Sequence, residues 1–145
     1  MISMRKVLIL NGPNLDRLGT REPDVYGSLS LQDIEKMCVD AATALDMEVD
    51  FRQTNEESTL ISWLHEAAET KTFVIMNPAA FTHYSVAIRD AAAMLTAGLI
   101  EVHLSNPVAR EEFRHTSLIS GLALGTISGF GAQSYLLALQ AISKL

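Results

Sequence analysis

The sequence predicts an α/β domain built on a parallel sheet. Short apolar runs, typical of buried strands, alternate five times with segments that repeat apolar residues every three to four positions. This alternation is typical of βαβ units, in which helices cover both faces of a parallel sheet. Five strands in this arrangement predict a flavodoxin-like, doubly wound, five-stranded parallel sheet. Ligands of such sheets bind beyond the carboxyl ends of the strands.

The first two strands and the helix between them have clear signals. Residues 7–10 form a continuous apolar run that ends at an Asn-Gly-Pro-Asn turn, which predicts a buried strand. Ser30, followed three positions later by Asp33, fits a helix N-cap with its acidic partner. Residues 31–45 then carry one apolar stripe, as a helix on the sheet requires. Residues 47–51 alternate in polarity and predict the second strand.

The rest of the chain repeats this alternation. Asn77 and Pro78 end the third strand, because proline cannot continue a strand inside a sheet. The connection after the fourth strand is predicted to be helical near residues 109–113. The predicted elements are a helix around residues 60–68, a strand at 73–76, a helix from about 82 to 96, a strand at 99–104, a strand at 121–127 and a helix at 130–145.

One connection is unusually long. About seventeen residues, 11–27, join the first strand to the first predicted helix, where two to six are usual, and such loops often form lids or binding sites. The loop carries Arg21 and Tyr26. A phenol is almost fully protonated at neutral pH, and a guanidinium beside it would favour the ionised, basic form. The pair could therefore remove a proton, or it could be two exposed loop residues.

Composition limits the class of protein. The 145 residues, 48% of them apolar, are expected to form a single domain, 1–145. The net charge of −6 argues against a nucleic-acid partner. Cys38 is the only cysteine, so no disulfide within the chain is expected. We find no apolar run of membrane-spanning length and no signal-peptide pattern, so we expect a cytoplasmic protein with no membrane partner.

Polar residues follow the predicted strands at one edge of the sheet. His103 ends the fourth strand, and Glu101 shares its side of that strand, where a carboxylate could orient the imidazole. A purely structural pair fits the same spacing. The mixed-charge run at 110–115 contains arginines suited to hydroxyls and carboxylates, although most such runs are solvated surfaces. Asn14 and Asn77 follow the first and third strands, where asparagine is also common in turns.

Several other chemistries lack the residues they need. Segment 129–134 resembles a dinucleotide-binding fingerprint, but the chain ends before the acidic residue expected about 20 positions later. The four histidines and one cysteine form no metal-ligand pattern, so no metal is expected. No lysine falls at the polar edge, which leaves Schiff-base catalysis without a nucleophile.

A set of motifs follows in fixed order over almost the whole chain. The motifs are LNGPNL at 10–15, GTREP at 19–23 with Tyr26 and Gly27, NPAAFTH at 77–83 with SVAIRD at 85–90, EVHLSN at 101–106, REEFRH at 110–115, and GAQ at 131–133 with YLL at 135–137. Together they resemble the motifs of the type II 3-dehydroquinate dehydratases. The resemblance implies loss of water from 3-dehydroquinate to give 3-dehydroshikimate in the shikimate pathway, by anti elimination through an enolate. It also implies no metal or organic cofactor, a small anionic substrate, and homo-oligomers that are trimers or dodecamers of four trimers.

The resemblance assigns the acid and base roles. It implies that Tyr26 is the base that removes a proton from the carbon next to the ketone. Arg21 would keep the phenol ionised, and Glu22 would hold Arg21. His103 would protonate the departing hydroxyl, oriented by Glu101.

The resemblance also implies how substrate is held. Asn14 would bind the water that stabilises the enolate oxygen, and the backbone N–H groups of Leu104 and Ser105 would take the substrate carboxylate. Asp90 would approach the site from a neighbouring subunit. The groups implied to bind ring hydroxyls are Asn77, His83 and Arg114.

The chain departs from the family pattern after two motifs. Pro107 and Val108 stand where an aliphatic residue and histidine are more usual, and Thr116 stands where many members have histidine or serine. These positions flank the segment that places Arg110 and Arg114. Two non-enzymatic interpretations stay open: a flavodoxin-like module that binds a small molecule without catalysis, and a homo-oligomer that keeps the fold without the activity.

Overall fold

Five parallel strands form the sheet of the computed structural model, which describes residues 4–20 and 22–145. The strands are β1 (Arg5–Asn11), β2 (Met47–Gln53), β3 (Phe73–Asn77), β4 (Leu99–His103) and β5 (Gly125–Ser128). They pair in the order β2-β1-β3-β4-β5, with each neighbouring pair parallel. This order places β1 and β3 side by side at the switch point of a doubly wound sheet. The predicted flavodoxin-like fold is confirmed.

Helices cover both faces of the sheet because successive strand residues point to opposite sides. Val7 and Ile9 join a core packed by α2 (Leu31–Ala44) and α5 (Gln133–Ser143), whereas Leu8 and Leu10 join a core packed by α3 (Glu57–Thr70) and α4 (Val86–Ala92). In the described part of the chain, none of the helices combines the length and apolar character that a bilayer crossing requires. The α-helices are α1 (Pro23–Tyr26), α2 (Leu31–Ala44), α3 (Glu57–Thr70), α4 (Val86–Ala92) and α5 (Gln133–Ser143).

The start of α2 agrees with the prediction. The Ser30 hydroxyl accepts a hydrogen bond from the Asp33 backbone N–H at 3.1 Å, and the Asp33 carboxylate accepts one from the Ser30 N–H at 2.9 Å. This reciprocal capping box satisfies N–H groups that the first helical turn leaves unpaired.

The helix predicted from about 82 to 96 is wrong in its extent. A 3₁₀ helix covers Ala79–His83, and α4 begins only at Val86 and ends at Ala92. Ser85 separates the two because its hydroxyl accepts the Ile88 N–H at 3.0 Å, which caps a new helix.

The strand predicted at 121–127 is also misplaced, since β5 begins at Gly125. Backbone hydrogen bonds from Leu122 to Ile119 and from Ala123 to Ser120 close turns before it. Leu122 and Ala123 are partly buried against the core on the α3 side, so these apolar residues belong to a turn that packs on the core. The last helix begins at Gln133 and not at 130.

The long loop is folded against the sheet at its start. A 3₁₀ helix at Leu15–Arg17 buries Leu15, and α1 forms a single helical turn near the end of the loop. Gly12 lies against Pro78, the residue that follows β3. A Cβ atom at position 12 would come within 2.5 Å of the Pro78 carbonyl oxygen. Only glycine permits this approach, which brings the ends of β1 and β3 together.

Candidate active site

A cavity of about 230 Å³ lies beyond the carboxyl ends of β1, β3 and β4. It brings together residues that the sequence places far apart, and Arg110 joins them on its wall. No aspartate or glutamate is among its lining residues in the described part of the chain. The cavity therefore suits an anion although the chain is acidic overall. The predicted site residues that line it are Asn14, Tyr26, Asn77, His83, His103, Leu104, Ser105 and Arg114.

Glu101 and His103 form a close pair on β4. The carboxylate oxygen Oε2 of Glu101 lies 2.5 Å from Nε2 of His103, and the two residues are 2% and 8% exposed. Alternation along the strand puts both side chains on one side. Because Nε2 faces the carboxylate, Nδ1 is the ring nitrogen that can act on a ligand in the cavity.

Two serines that the sequence analysis did not identify hold the other side of the carboxylate. Ser117 Oγ donates to Oε1 of Glu101 at 2.9 Å and lies 3.1 Å from Oε2, and Ser120 Oγ donates to Oε1 at 2.9 Å. They follow Glu101 by 16 and 19 residues, in turns before β5. No sequence period connects such positions, so only the folded chain reveals this contact.

These contacts determine the charge of Glu101. Burial raises the pKa of its carboxyl group. The hydrogen bond and charge of His103, followed by the hydroxyl groups of Ser120 and Ser117, lower that pKa, and they prevail. The pKa therefore lies below the ordinary value for glutamate, and Glu101 is a carboxylate at neutral pH.

Tyr26, at the end of α1, also lines the cavity. The guanidinium carbon of Arg110 lies 5.1 Å from the centre of its ring, a cation–π distance. Arg110 Nη1 also donates to Ser105 Oγ at 3.3 Å, so the arginine links the tyrosine loop to the end of β4. The sequence indicated Arg110 only as part of a mixed-charge run and assigned it no specific role.

Among the described residues, the predicted site residues that do not line this cavity are Glu22, Asp90 and Glu101, the last of which reaches it only through His103. The prediction for Arg21 lies outside the described residues. Glu22 is exposed at the N-terminus of α1, with a left-handed backbone (φ 40°). The Asp90 side chain is 65% exposed, lies 3.6 Å from Arg89 and does not line the cavity of its own chain.

Asn77 is held by a buried network behind the cavity. Its Nδ2 donates to the Tyr135 hydroxyl at 3.1 Å, and its Oδ1 accepts the Ala79 N–H at 3.1 Å. The Tyr135 hydroxyl in turn donates to Asn11 Oδ1 at 2.6 Å, and Asn11 Nδ2 donates to the Arg52 carbonyl at 3.0 Å. Burial raises the pKa of Tyr135 well above its usual range, so it remains a neutral donor. The network fixes Asn77 between β1, β3 and α5.

His83 and Arg114 are oriented by neighbouring polar groups. His83 Nδ1 lies 2.8 Å from the Thr116 carbonyl, so Nδ1 carries a proton and Nε2 accepts in the neutral ring. Arg114 Nε donates to Glu111 Oε1 at 3.1 Å. The contact to Thr116 uses its backbone, so the unusual side chain at this position does not alter it.

The remaining wall comes from loop backbone. Asn14 has a left-handed conformation (φ 70°), and its N–H donates to Asn55 Oδ1 at 2.9 Å. Leu104 and Ser105 follow His103 directly, at the end of β4. Their position puts backbone groups beside the imidazole, on the wall shared with Arg110.

A second, smaller cavity of about 180 Å³ adjoins the first and shares His83, His103, Pro107 and Arg114 with it. Glu101, Ser117 and Ser120 line only this second cavity. Within the part of the chain that the structure describes, the buried Thr82 hydroxyl on its wall has no hydrogen-bond partner. Across residues 4–20 and 22–145, no three histidine, cysteine, aspartate or glutamate side chains cluster as metal ligands would.

Together, the fold and the cavity define an α/β protein with an anion site flanked by a tyrosine and a histidine–carboxylate pair. The model of the family described as dehydroquinase class II matches residues 5–143. The chain therefore belongs to the class II dehydroquinases.

Individual relatives agree with this family. The chain is 53% identical to a 3-dehydroquinate dehydratase of Rhizobium meliloti (strain 1021), covering 96% of this chain and 94% of the relative. It is 54% identical to a 3-dehydroquinate dehydratase of Salinispora tropica, covering 92% and 94%. The crystal structure of a type II dehydroquinase from Propionibacterium acnes superposes with a TM-score of 0.97 at 44% identity, over the full length of both chains.

Proposed function

We propose that the chain removes water from 3-dehydroquinate to give 3-dehydroshikimate, by anti elimination through an enolate, in the shikimate pathway. The observation that carries this proposal is the meeting of Tyr26, Arg110 and His103, itself paired with Glu101, around one cavity that has no acidic lining residue in the described part of the chain. The dehydratase names of the relatives support the substrate and the reaction. A non-catalytic binding module is not favoured, because those relatives match almost the whole chain.

The first step would be removal of a proton from the carbon next to the ketone. Tyr26 is the proposed base, acting as its phenolate. Arg110, whose guanidinium carbon lies 5.1 Å from the ring centre, is proposed to favour negative charge on the phenol, and Arg21 is proposed to act on the same group. Glu22 is proposed to hold Arg21.

The enolate oxygen then needs a hydrogen-bond donor. Asn14 is proposed to hold a water molecule against it, and the left-handed backbone at Asn14 directs this residue to the cavity wall. One such donor contributes about 3–4 kcal/mol to transition states of this kind. The enolate electrons then expel the hydroxyl group on the neighbouring carbon.

His103 is the proposed acid for that departure. In the imidazolium form, Nε2–H donates to Glu101, and Nδ1–H is transferred to the departing oxygen, which leaves as water. The ring that remains is neutral and still donates through Nε2. An ionised Glu101 stabilises the imidazolium before the transfer, which is the form the step consumes.

The other polar groups are proposed to bind substrate. The backbone N–H groups of Leu104 and Ser105 would receive the carboxylate, and Arg110 and Arg114 make that region positive. Asn77, His83 and Arg114 are proposed to bind the ring hydroxyls. No metal or organic cofactor is part of the proposed reaction.

The same proposal includes three expectations about the whole protein, which concern its domain organisation, its oligomeric state and its location. A single catalytic domain spans 1–145, and the chain forms homo-oligomers, proposed to be dodecamers of four trimers. The exposed position of Asp90, outside the cavity of its own chain, supports a role for it at the site of a neighbouring subunit. A cytoplasmic location is supported by the single, buried cysteine. The mass measured by light scattering tests the oligomeric state, and cell fractionation tests the location.

The decisive experiment adds 3-dehydroquinate to purified protein treated with chelator and follows the ultraviolet absorbance of the conjugated product. We expect turnover at a rate that chelation leaves unchanged. Absence of product from protein that circular dichroism shows to be folded would overturn the proposed activity. Loss of turnover on chelation would overturn its metal independence.

A further inference from the structure

We propose that Ser117 and Ser120 are positioning residues for the acid step, which act through the Glu101 carboxylate to hold His103 as a proton donor. This inference rests on the proposed function, because it concerns the protonation of the departing hydroxyl. Neither serine lines the substrate cavity, so neither is placed to touch substrate. Their effect must pass through Glu101.

The carboxylate is held on all sides. Oε1 of Glu101 accepts hydrogen bonds from Ser117 and Ser120, both at 2.9 Å. Oε2 faces His103 Nε2 at 2.5 Å and Ser117 Oγ at 3.1 Å. A carboxylate offers about four acceptor positions, and three donors serve them here, with the single Ser117 proton shared between Oε1 and Oε2. Rotation of the group would break hydrogen bonds at a residue that is 2% exposed, so the serines set the direction in which Oε2 meets the imidazole.

The hydroxyl groups also determine where the proton resides. Donors on Oε1 stabilise negative charge on Glu101, so the carboxylate accepts the Nε2–H of His103 without taking the proton. The proton on Nδ1 then goes to the departing oxygen, which takes the electrons of the broken C–O bond and leaves as water. Without the donors, a buried carboxylate is more basic and more readily neutralised, and the imidazolium loses the charge that stabilises it.

The substitutions at Ser120 leave the charged surroundings of Glu101 unchanged. Besides Glu101 and His103, the ionisable groups on the second cavity are His83, Arg114 and His115. None of them is changed by a substitution at Ser120. A change in the titration of Glu101 can therefore be assigned to the hydroxyl that was removed.

Ser120 is the better position for the test. The Ser117 hydroxyl also accepts the N–H groups of Ile119 at 3.1 Å and Ser120 at 3.0 Å, so Ser117→Ala would disturb the turn as well. Ser120→Ala removes one donor to Glu101, and Ser120→Thr retains a hydroxyl. Ser143→Ala is the matched control, because its hydroxyl donates to the Gln140 carbonyl on α5.

The first measurement is a carbon-13 NMR titration of glutamate carboxyl groups in the ligand-free protein, with Glu101→Gln to assign the resonance. We expect the titration midpoint of Glu101 to move to higher pH in Ser120→Ala and to return toward wild type in Ser120→Thr. Ser143→Ala should leave it unchanged. An unchanged midpoint in Ser120→Ala would overturn the proposal.

The second measurement separates kcat from KM. We expect Ser120→Ala to lower kcat on the order of tenfold, the effect of losing about one hydrogen bond to a charged group, with KM within about twofold. A raised KM at unchanged kcat in Ser120→Ala would refute the positioning role. A loss of kcat in Ser120→Thr as large as that in Ser120→Ala would refute it as well. A wild-type protein without turnover would instead refute the proposed function, and the NMR titration would still report on the serines.

Discussion

Replacement of Glu101 by glutamine tests the acid half of the site with little change of shape. It removes one negative charge that lies 2.5 Å from His103 Nε2 and leaves an amide oxygen for the two serines. A hydrogen bond to a charged group contributes about 1.5–3 kcal/mol. If that amount is lost from the transition state, kcat falls about 10- to 150-fold.

The assay is the appearance of conjugated product over a range of 3-dehydroquinate concentrations. KM is expected to stay within about twofold of wild type, because Glu101 lines the second cavity and not the first. Glu48→Gln, an exposed position on β2, is the matched control and should behave as wild type. A kcat for Glu101→Gln within twofold of wild type would refute the proposed orientation and charge support of His103.

The same variant makes a prediction for stability. Because the pKa of Glu101 is lower in the folded chain than its ordinary value, the ionised group stabilises the fold above that ordinary value. This contribution disappears as pH falls through the folded-state pKa. Below about pH 5, where Glu101 takes up its proton, the difference in unfolding free energy between wild type and Glu101→Gln should therefore shrink. A difference that widened in that acid range, in urea titrations, would contradict the sign of the shift.

Three further substitutions follow from the structure. Tyr26→Phe is expected to lower kcat at least about a thousandfold while still binding a product-like anion in calorimetry, because the base is removed and the cavity is not. Tyr135→Phe leaves buried groups of Asn11 and Asn77 without their hydroxyl partner, and should lower the unfolding free energy by about 1–3 kcal/mol in urea. Gly12→Ala places a Cβ atom 2.5 Å from the Pro78 carbonyl oxygen, and should cost about 1–3 kcal/mol on the same measure.

Each of these has a result that would contradict it. Near wild-type turnover of Tyr26→Phe would remove Tyr26 from the role of base. Tyr84→Phe is the control for Tyr135→Phe, because Tyr84 is 62% exposed and the loss of its hydroxyl should leave stability unchanged. Equal stability of those two variants would show that the buried network contributes nothing. Gly121→Ala, at a position where a Cβ meets no atom within 4 Å, is the control for Gly12→Ala, and equal effects would contradict the steric reason.

The fold was largely predictable from local pattern. Strands β1, β3 and β4 were found because buried parallel strands are short and apolar, and β2 was found from its alternating polarity. The α2 N-terminus was found because Ser30 and Asp33 satisfy each other's backbone groups. The errors arose where an apolar segment had a different role. Leu122 and Ala123 are apolar because they pack in a turn, and Ser85 divides a helical pattern by capping its second half.

The candidate site was predictable where its members share an element. Glu101 and His103 are two residues apart on one strand, so strand geometry alone brings them together. The catalytic roles of Tyr26, His103 and the substrate-binding residues stay predictions, as does the role of Arg21. Arg110, Ser117 and Ser120 had no specific signal, because their contacts depend on how the turns after β4 return to the sheet.

The sequence by itself determined the alternation of strands and helices, the edge at which polar groups collect and the motifs that indicate the family, since all of these are local properties of the chain. Only the tertiary structure decided which donors surround the Glu101 carboxylate and which cation faces Tyr26. The physical reason is that hydrogen bonds and charges act over a few ångströms in space. Residues of the long loop between β1 and α2, and of the turns before β5, come within that distance of their partners only when the sheet has formed.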